Sequence, residues 1–300
     1  MKFKPRVRSK NHSCDELRRG GLGYYPFRSV VRLGSVTPNA HLFKNPNGII
    51  EINSVDAVNV SRNKLLMKQA FAQAEVPQSE WWLIIDADGL VAYPKAANAG
   101  YVHLDHLPYP LIVKRVHGFK GIGMSMINTN EELESWLSAH PNTEGWYFEQ
   151  YHNFNREYRL HVTKEGCFYG LRKMLKSDAE NRWYRNDSNC VWITEHKVLF
   201  DEEHTIIGYD ESEDNPAFDK PVNWENIEKD CVRALEAVGL DIGAFDVRVQ
   251  SALDKGGNKR ENPQYILIEV NSAPSMGNIT VLKYKEAIQK LLEHKYEDIS

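Results

Sequence analysis

The sequence predicts an α+β fold, and three observations carry that prediction. Apolar strand-like runs come in pairs joined by short turns, at 110–127 and at 156–174. Amphipathic stretches with helix-cap signals, at 61–74, 129–139 and 223–238, lie between and after them. Two further apolar runs, 243–250 and 265–271, each carry an acid, and antiparallel pairing sets those acids side by side.

Three hundred residues at 42% hydrophobic suffice for a full core, in one large or two to three small compact domains. No apolar run approaches the length of a transmembrane helix, so no membrane association is expected. The basic N-terminus lacks an apolar h-region, so no secretory signal is expected either. Cys14, Cys167, Cys190 and Cys231 are scattered without a C-x-x-C pair, which points away from disulfide and zinc frameworks and toward a reducing, cytoplasmic setting. Net charge is −4 but uneven: residues 1–50 carry ten Lys/Arg against two Asp/Glu, the remainder 27 against 39. A basic arm on an acidic body either attracts an anionic partner or docks on that body.

Residues 1–23 read as a mobile arm or an irregular segment on the substrate side. Short strands follow at 29–33 and 48–52, separated by Pro/Asn/Gly turns. Ser61-Arg-Asn-Lys64 opens a helix to about Ala74, and Val76-Pro77 stops it. A strand is expected at 81–85 and a turn at 86–89. Residues 110–114 form a buried strand ending in Lys114, followed by Gly118-Phe-Lys-Gly-Ile-Gly123 and a strand at 124–127. A glycine-rich hairpin of this kind can cover phosphates with its backbone amides. It is no Walker A loop, because G-K-[ST] is missing and a strand follows. Thr129-Asn-Glu-Glu132 is a capping box that starts the helix to about Ala139.

The next strand is 145–151. Residues 156–162 and 167–174 form a hairpin around 164–166, and 177–189 is a polar loop containing Arg185. One or two strands fit 191–207, and 210–219 is an acidic loop. Asn223 caps a helix to about Val238, with Gly239 at its end. The strand with Asp246 follows, then the strand with Glu269 and Asn271. Strand alternation puts Glu269 and Asn271 on one face and Val270 in the core, and Pro274 ends the pattern. A carboxylate beside an amide oxygen suits a hard cation such as Mg²⁺. A last helix runs from about Thr280 to His294.

Strand-Asp246, then Glu269-x-Asn271-x-x-Pro274, preceded by a glycine-rich hairpin, resembles the ATP-grasp superfamily. The likeness is nearest to D-alanine–D-alanine ligases and ribosomal-protein glutamate ligases, and its motifs span about 53–276. The resemblance implies two α+β subdomains gripping ATP, here residues 58–300, with a lid at about 100–150 and a C-terminal subdomain at about 151–300. Residues 1–57 would be a reduced N-terminal substrate domain. It assigns Lys64 and Lys114, with Gly118, Lys120, Gly121 and Gly123, to the phosphates. Glu149 or Gln150, with Tyr151, falls at the adenine hinge. Glu157 matches the ribose acid, Arg172 or Lys173 a cation near the phosphates, and Arg185 a substrate anion clamp. Asp246, Glu269 and Asn271 match the metal ligands. The implied cofactors are ATP and Mg²⁺, two ions, with Mn²⁺ as a substitute.

The resemblance further implies amide or peptide bond formation through an acyl phosphate, from a carboxylate and an amine carried by small molecules, peptides or proteins. Two positions depart from the ligase pattern: Ala244 replaces an arginine two residues before Asp246, and Ser275 replaces a glycine after Pro274. The substrate half is therefore unfamiliar. A kinase acting on a hydroxyl and a non-catalytic ATP-binding regulator remain alternatives. Family members are often homodimers, but no residue of this chain specifies that state.

Overall fold

The structure is a computed structural model and describes residues 1–84, 90–93, 100–118, 121–180, 182–186, 188–204 and 206–298. The basic N-terminus is not a free arm. Residues Arg6–Ser9 form β1, paired in parallel with β2 (Ser29–Leu33), which pairs in turn with β3 (Ile50–Ile52). Val7, Cys14, Leu17 and Leu22 are buried there. Their apolar spacing fixes the segment: the alternate residues of β1 face solvent and carry its basic charge. The segment is held by these apolar side chains in a shared core, while Arg6 and Arg8 face outward. A short helix, α1 (Asn39–Leu42), joins β2 to β3.

The helix expected from 61–64 to about Ala74 starts at Lys64, and a separate helix precedes it. The preceding one is α2 (Val55–Arg62), and the chain breaks at Asn63 before α3 (Lys64–Gln73). Asn63 is extended, and its side chain accepts from the amides of Leu65 and Leu66. This N-cap geometry satisfies donors that a helix start leaves open, and it restarts the helix at Lys64.

The middle of the chain builds a six-stranded antiparallel sheet. Its strands are β4 (Trp81–Ile84), β5 (Leu90–Tyr93), β6 (Gly100–His103), β7 (Leu111–Arg115), β8 (Ser125–Ile127) and β9 (Trp146–Gln150), in the order β6-β5-β4-β9-β7-β8. Helix α4 (Asn130–Ala139) backs it, and Thr129 Oγ1 accepts from the Glu132 amide as the capping box requires. The expected lid falls inside this sheet, which also takes β4 and β5. The expected turn at 86–89 lies outside the described residues.

The C-terminal sheet holds the acids. It contains β10 (Arg156–Thr163), β11 (Gly166–Leu175) and β12 (Cys190–Thr194). A separate ribbon follows, β13 (His196–Phe200) with β14 (Ile206–Asp214). The acidic stretch from 210 is thus partly strand, because β14 continues to Asp214 opposite His196. Helix α5 (Trp224–Val238) precedes β15 (Ile242–Val249) and β16 (Tyr265–Asn271), and the sheet order is β12-β11-β10-β15-β16. Asn223 is the N-cap residue of α5, but its side chain donates to Pro263 and Asn262 instead of capping. One face of the sheet packs Tyr158, Leu160, Val162, Phe245 and Val247 with α5 in the largest core. The other face is charged. Helix α6 (Asn278–Glu297) covers the far end and shares a second core with the N-terminal sheet.

Candidate functional site

The charged face follows from alternation. Along β10, Tyr158, Leu160 and Val162 enter the core, so Glu157, Arg159 and His161 project to the opposite side. The antiparallel register sets Glu157 opposite Arg248 and Arg159 opposite Asp246. Arg159 grips Asp246 through Nε at 2.8 Å and a terminal nitrogen at 3.0 Å. Lys173 on β11 donates to Asp246 at 2.7 Å and to Glu157 at 3.1 Å. Arg248 donates to Glu157 at 2.9 Å, and Arg185 approaches it at 3.5 Å. Trp192 on β12 lies under both Arg159 and Lys173, 4.9 and 5.5 Å from its ring centre.

Four cations thus surround two carboxylates, leaving a positive surplus. Burial pushes the Asp246 carboxyl up, but Arg159 and Lys173 outweigh it and hold it well below the carboxylate range. Glu157 is lowered in the same way against burial by Lys173 and Arg248. His161 is pushed down to about 3 by burial and the Arg159 charge, so it stays neutral, with Nδ1 against the Tyr284 hydroxyl at 3.1 Å.

On β16 the expected register is present: Asp246 pairs with Glu269, and Ala244 with Asn271. Val270 is buried. The Asn271 amide donates to Glu269 at 3.3 Å. The Glu269 side chain is 29% exposed, and Lys64 Nζ stands 3.6 Å from it. The same Lys64 donates to the Gly118 carbonyl at 2.6 Å, and its backbone amide donates to Val116 at 3.1 Å. The start of α3 therefore ties the glycine-rich hairpin to the edge of the acid-bearing sheet.

Across the site, Lys114 on β7 donates to Glu149 on β9 at 2.8 Å, and Lys68 on α3 pairs with the other Glu149 oxygen at 3.3 Å. Burial raises the Glu149 pKa, but the two lysines outweigh it and hold the carboxyl at about 2. Lys68 is fully buried, and burial pulls its pKa down against the pull of Glu149. Gly121 and Gly123 have φ of +73° and +76°, the left-handed region that favours glycine, and a Cβ at Gly121 would sit 3.6 Å from the Tyr184 ring. The hairpin thus meets the 177–189 loop. Lys120 lies outside the described residues.

The structure separates several paired alternatives. Lys173 enters the charged face, whereas Arg172 points the other way, to the Ala217 carbonyl at 2.7 Å and Asp219 at 3.3 Å. Arg172 is therefore no part of this cluster, because neighbours on a strand face opposite sides. Glu149, not Gln150, joins the lysines. The backbone amides of Gln150 and Tyr151 are engaged by Glu80 and Pro110 carbonyls, each at 2.9 Å. Beyond them a largely apolar cavity of about 370 Å³ opens, lined by Pro77, His152, Phe154, Pro263, Tyr265 and Ile266 among others. Gly118 belongs to the hairpin beside Lys64, and Arg185 is drawn in by Glu157.

Lys68, Arg159, Arg248 and Trp192 were not singled out by sequence. Three of them carried a signal: Lys68 is one helical turn from Lys64, Arg159 shares a face with Glu157, and Arg248 with Asp246. Glu269 and Asn271 fit a hard cation, as partly exposed oxygen donors on one face. Both Asp246 oxygens, by contrast, are already bound by cations. Among the described residues, no three His, Cys, Asp or Glu side chains come together as a metal-binding group.

No family model and no curated protein matches the chain. Solved structures do. D-alanine–D-alanine ligase from Bacillus anthracis is similar over 89% of this chain and 78% of its own, with 14% identity and a TM-score of 0.53. The same enzyme complexed with ATP is similar over 88% and 76%, with 14% identity and a TM-score of 0.51. With its acids on paired strands of one sheet and its glycine-rich hairpin in another, this chain has the ATP-grasp fold.

Proposed function

We propose that the protein is an ATP-dependent carboxylate–amine ligase that makes an amide bond through an acyl phosphate and releases ADP and phosphate. One observation carries this reading. Lys64, the glycine-rich hairpin and the Glu269–Asn271 pair are held together by direct contacts, on a fold shared with a ligase solved in complex with ATP.

The residues suit phosphoryl transfer, which needs positioning and charge neutralisation more than covalent help. Lys64, Lys114 and Lys173 provide fixed positive charge, and hairpin amides cover the phosphates. The apolar cavity past Tyr151 accepts the base. A divalent cation at Glu269 and Asn271 would supply further positive charge to the phosphate oxygens. The substrate side is formed where residues 9–13 meet the segment after Asn271: Asn11 donates to the Ala273 carbonyl at 3.4 Å, and the Met276 amide donates to Ser13 at 3.1 Å. This border adjoins the basic N-terminal unit and fits an anionic acceptor, an amino acid, an acidic peptide or a protein tail.

The test is a phosphate-release screen with Mg-ATP and pooled amino acids, dipeptides, polyamines and acidic peptides, with Glu269→Ala as control. Phosphate that depends on one pool, with a product one water lighter than the summed substrates, supports the ligase. ADP without free phosphate, together with a phosphorylated product, would replace it with a kinase. Failure to bind ATP would remove the whole reading.

A further inference from the structure

We propose that the site takes a single divalent cation with its nucleotide, and that Arg159, backed by Lys173, occupies the place of a second. This rests on the nucleotide reading above and goes past it in assigning Arg159, which stands on β10 and outside the metal-ligand motif.

Asp246 and Glu269 are register partners, yet they stand in opposite situations. Asp246 is 5% exposed and accepts three charge-assisted hydrogen bonds, two from Arg159 and one from Lys173. A carboxylate offers about four acceptor positions, so little of Asp246 is left for a metal. The two cations are not loose surface groups. Their side chains are 10% and 4% exposed. Lys173 is also bound to Glu157, and both cations lie on the face of Trp192. Swinging Arg159 away would break a bidentate pair and a cation–π contact and leave a buried carboxylate with a single partner.

A Mg²⁺ ion on Asp246 would sit about 2 Å from its oxygen, hence close to two fixed positive charges. Repulsion inside a poorly solvated site opposes that placement. Glu269 is less closely guarded, by Lys64 alone at 3.6 Å. It is partly exposed, its lysine neighbour is beyond hydrogen-bond distance, and the Asn271 amide lies beside it. One cation can settle there. Ala244 completes the pattern: it is uncharged and faces His161, so positive charge reaches this face from β10 and β11 as well as from Arg248 of β15.

The experiment counts Mn²⁺ by electron paramagnetic resonance of the free aquo ion, using the full chain saturated with the β,γ-imido analogue of ATP. One Mn²⁺ per protein–nucleotide complex is expected, and two would overturn the proposal. Arg159→Met keeps an unbranched apolar stem beside Trp192 but removes the guanidinium and its charge, and it is expected to raise the count to two. A folded variant that still binds one ion would overturn the assignment to Arg159. Asp246→Asn serves where Arg159→Met does not fold. Its count should stay at one, and loss of the ion would show Asp246 to be a ligand after all. If the analogue is not retained with or without Mn²⁺, the ATP reading itself fails and takes this proposal with it, a result distinct from a count of two.

Discussion

Glu149 sits between two lysines in a place almost closed to water. Its carboxyl is held at about 2, against roughly 4.3 in an unfolded chain. A folded value below the unfolded one means stability that is present above about pH 4.3 and lost as pH falls toward 2. A gap of that size corresponds to about 3 kcal/mol. Glu149→Gln strands Lys114 and Lys68 without their partner, and breaking a buried pair in this way costs about 3–5 kcal/mol. Denaturant midpoints at pH 7 should therefore fall well below wild type, and the difference should shrink in the acid range. Equal midpoints at pH 7 would show that the pair carries no net stability. Glu149 was visible in sequence as a polar residue at the end of an apolar strand. Its lysine partners were harder to place, because Lys68 in an amphipathic helix looks like an ordinary solvated charge until α3 is docked against β9.

On β11 the strand itself decides which cation matters. Arg172 and Lys173 are adjacent in sequence, so sequence alone left both open, but the pleat turns them to opposite faces. Lys173→Met should reduce nucleotide affinity or turnover on the order of 10²-fold, in line with the removal of one preorganised electrostatic donor. Arg172→Met should change affinity little, since it loses only contacts to Ala217 and Asp219. Titration of a fluorescent ATP analogue on both variants checks the contrast, and equal losses would mean that strand polarity does not define the site. The pairing of Asp246 with Glu269 was legible for the same reason that Arg159 could have been. A period of two sorts every residue of a half-buried strand, and from Glu157 to Val162 polar residues (Glu157, Arg159, His161) alternate with apolar ones (Tyr158, Leu160, Val162). The break at Asn63 was less legible, because helix-forming residues run on both sides of it.

At the scale of the molecule, the sheets are joined by contacts between residues far apart in sequence, which local patterns do not reveal. Asn53 is the main instance. It is fully buried with φ of +60°, donates to the carbonyls of Arg32 and Ile242, and accepts from the amides of Asp241 and Ile242. It fastens the N-terminal sheet to the start of β15. Close by, a Cβ on Gly34, whose φ is +76°, would come within 2.8 Å of Ala273, so the turn after β2 also lies tight against the segment beyond Asn271. The N-terminal unit is thus packed against the start of β15 and the segment that follows Asn271. Removal of residues 1–14 strips β1 and the buried Val7 and Cys14 from the second core. At 1.5–3 kcal/mol per buried side chain, the loss is roughly 3–6 kcal/mol. A clear drop in thermal midpoint is expected, and an unchanged midpoint would mean that the segment is a dispensable arm. Basic composition suggested such an arm because charge density is easy to read, whereas a four-residue parallel strand depends on a partner more than twenty residues away.

Trp192 gives this arrangement an optical handle. Its indole rests against two fixed cations, so a polyphosphate bound beside them would change the electric field across the ring whenever the site fills. The emission of this one tryptophan, isolated by subtracting the spectrum of a Trp192→Phe variant, would report occupancy in real time and without a label.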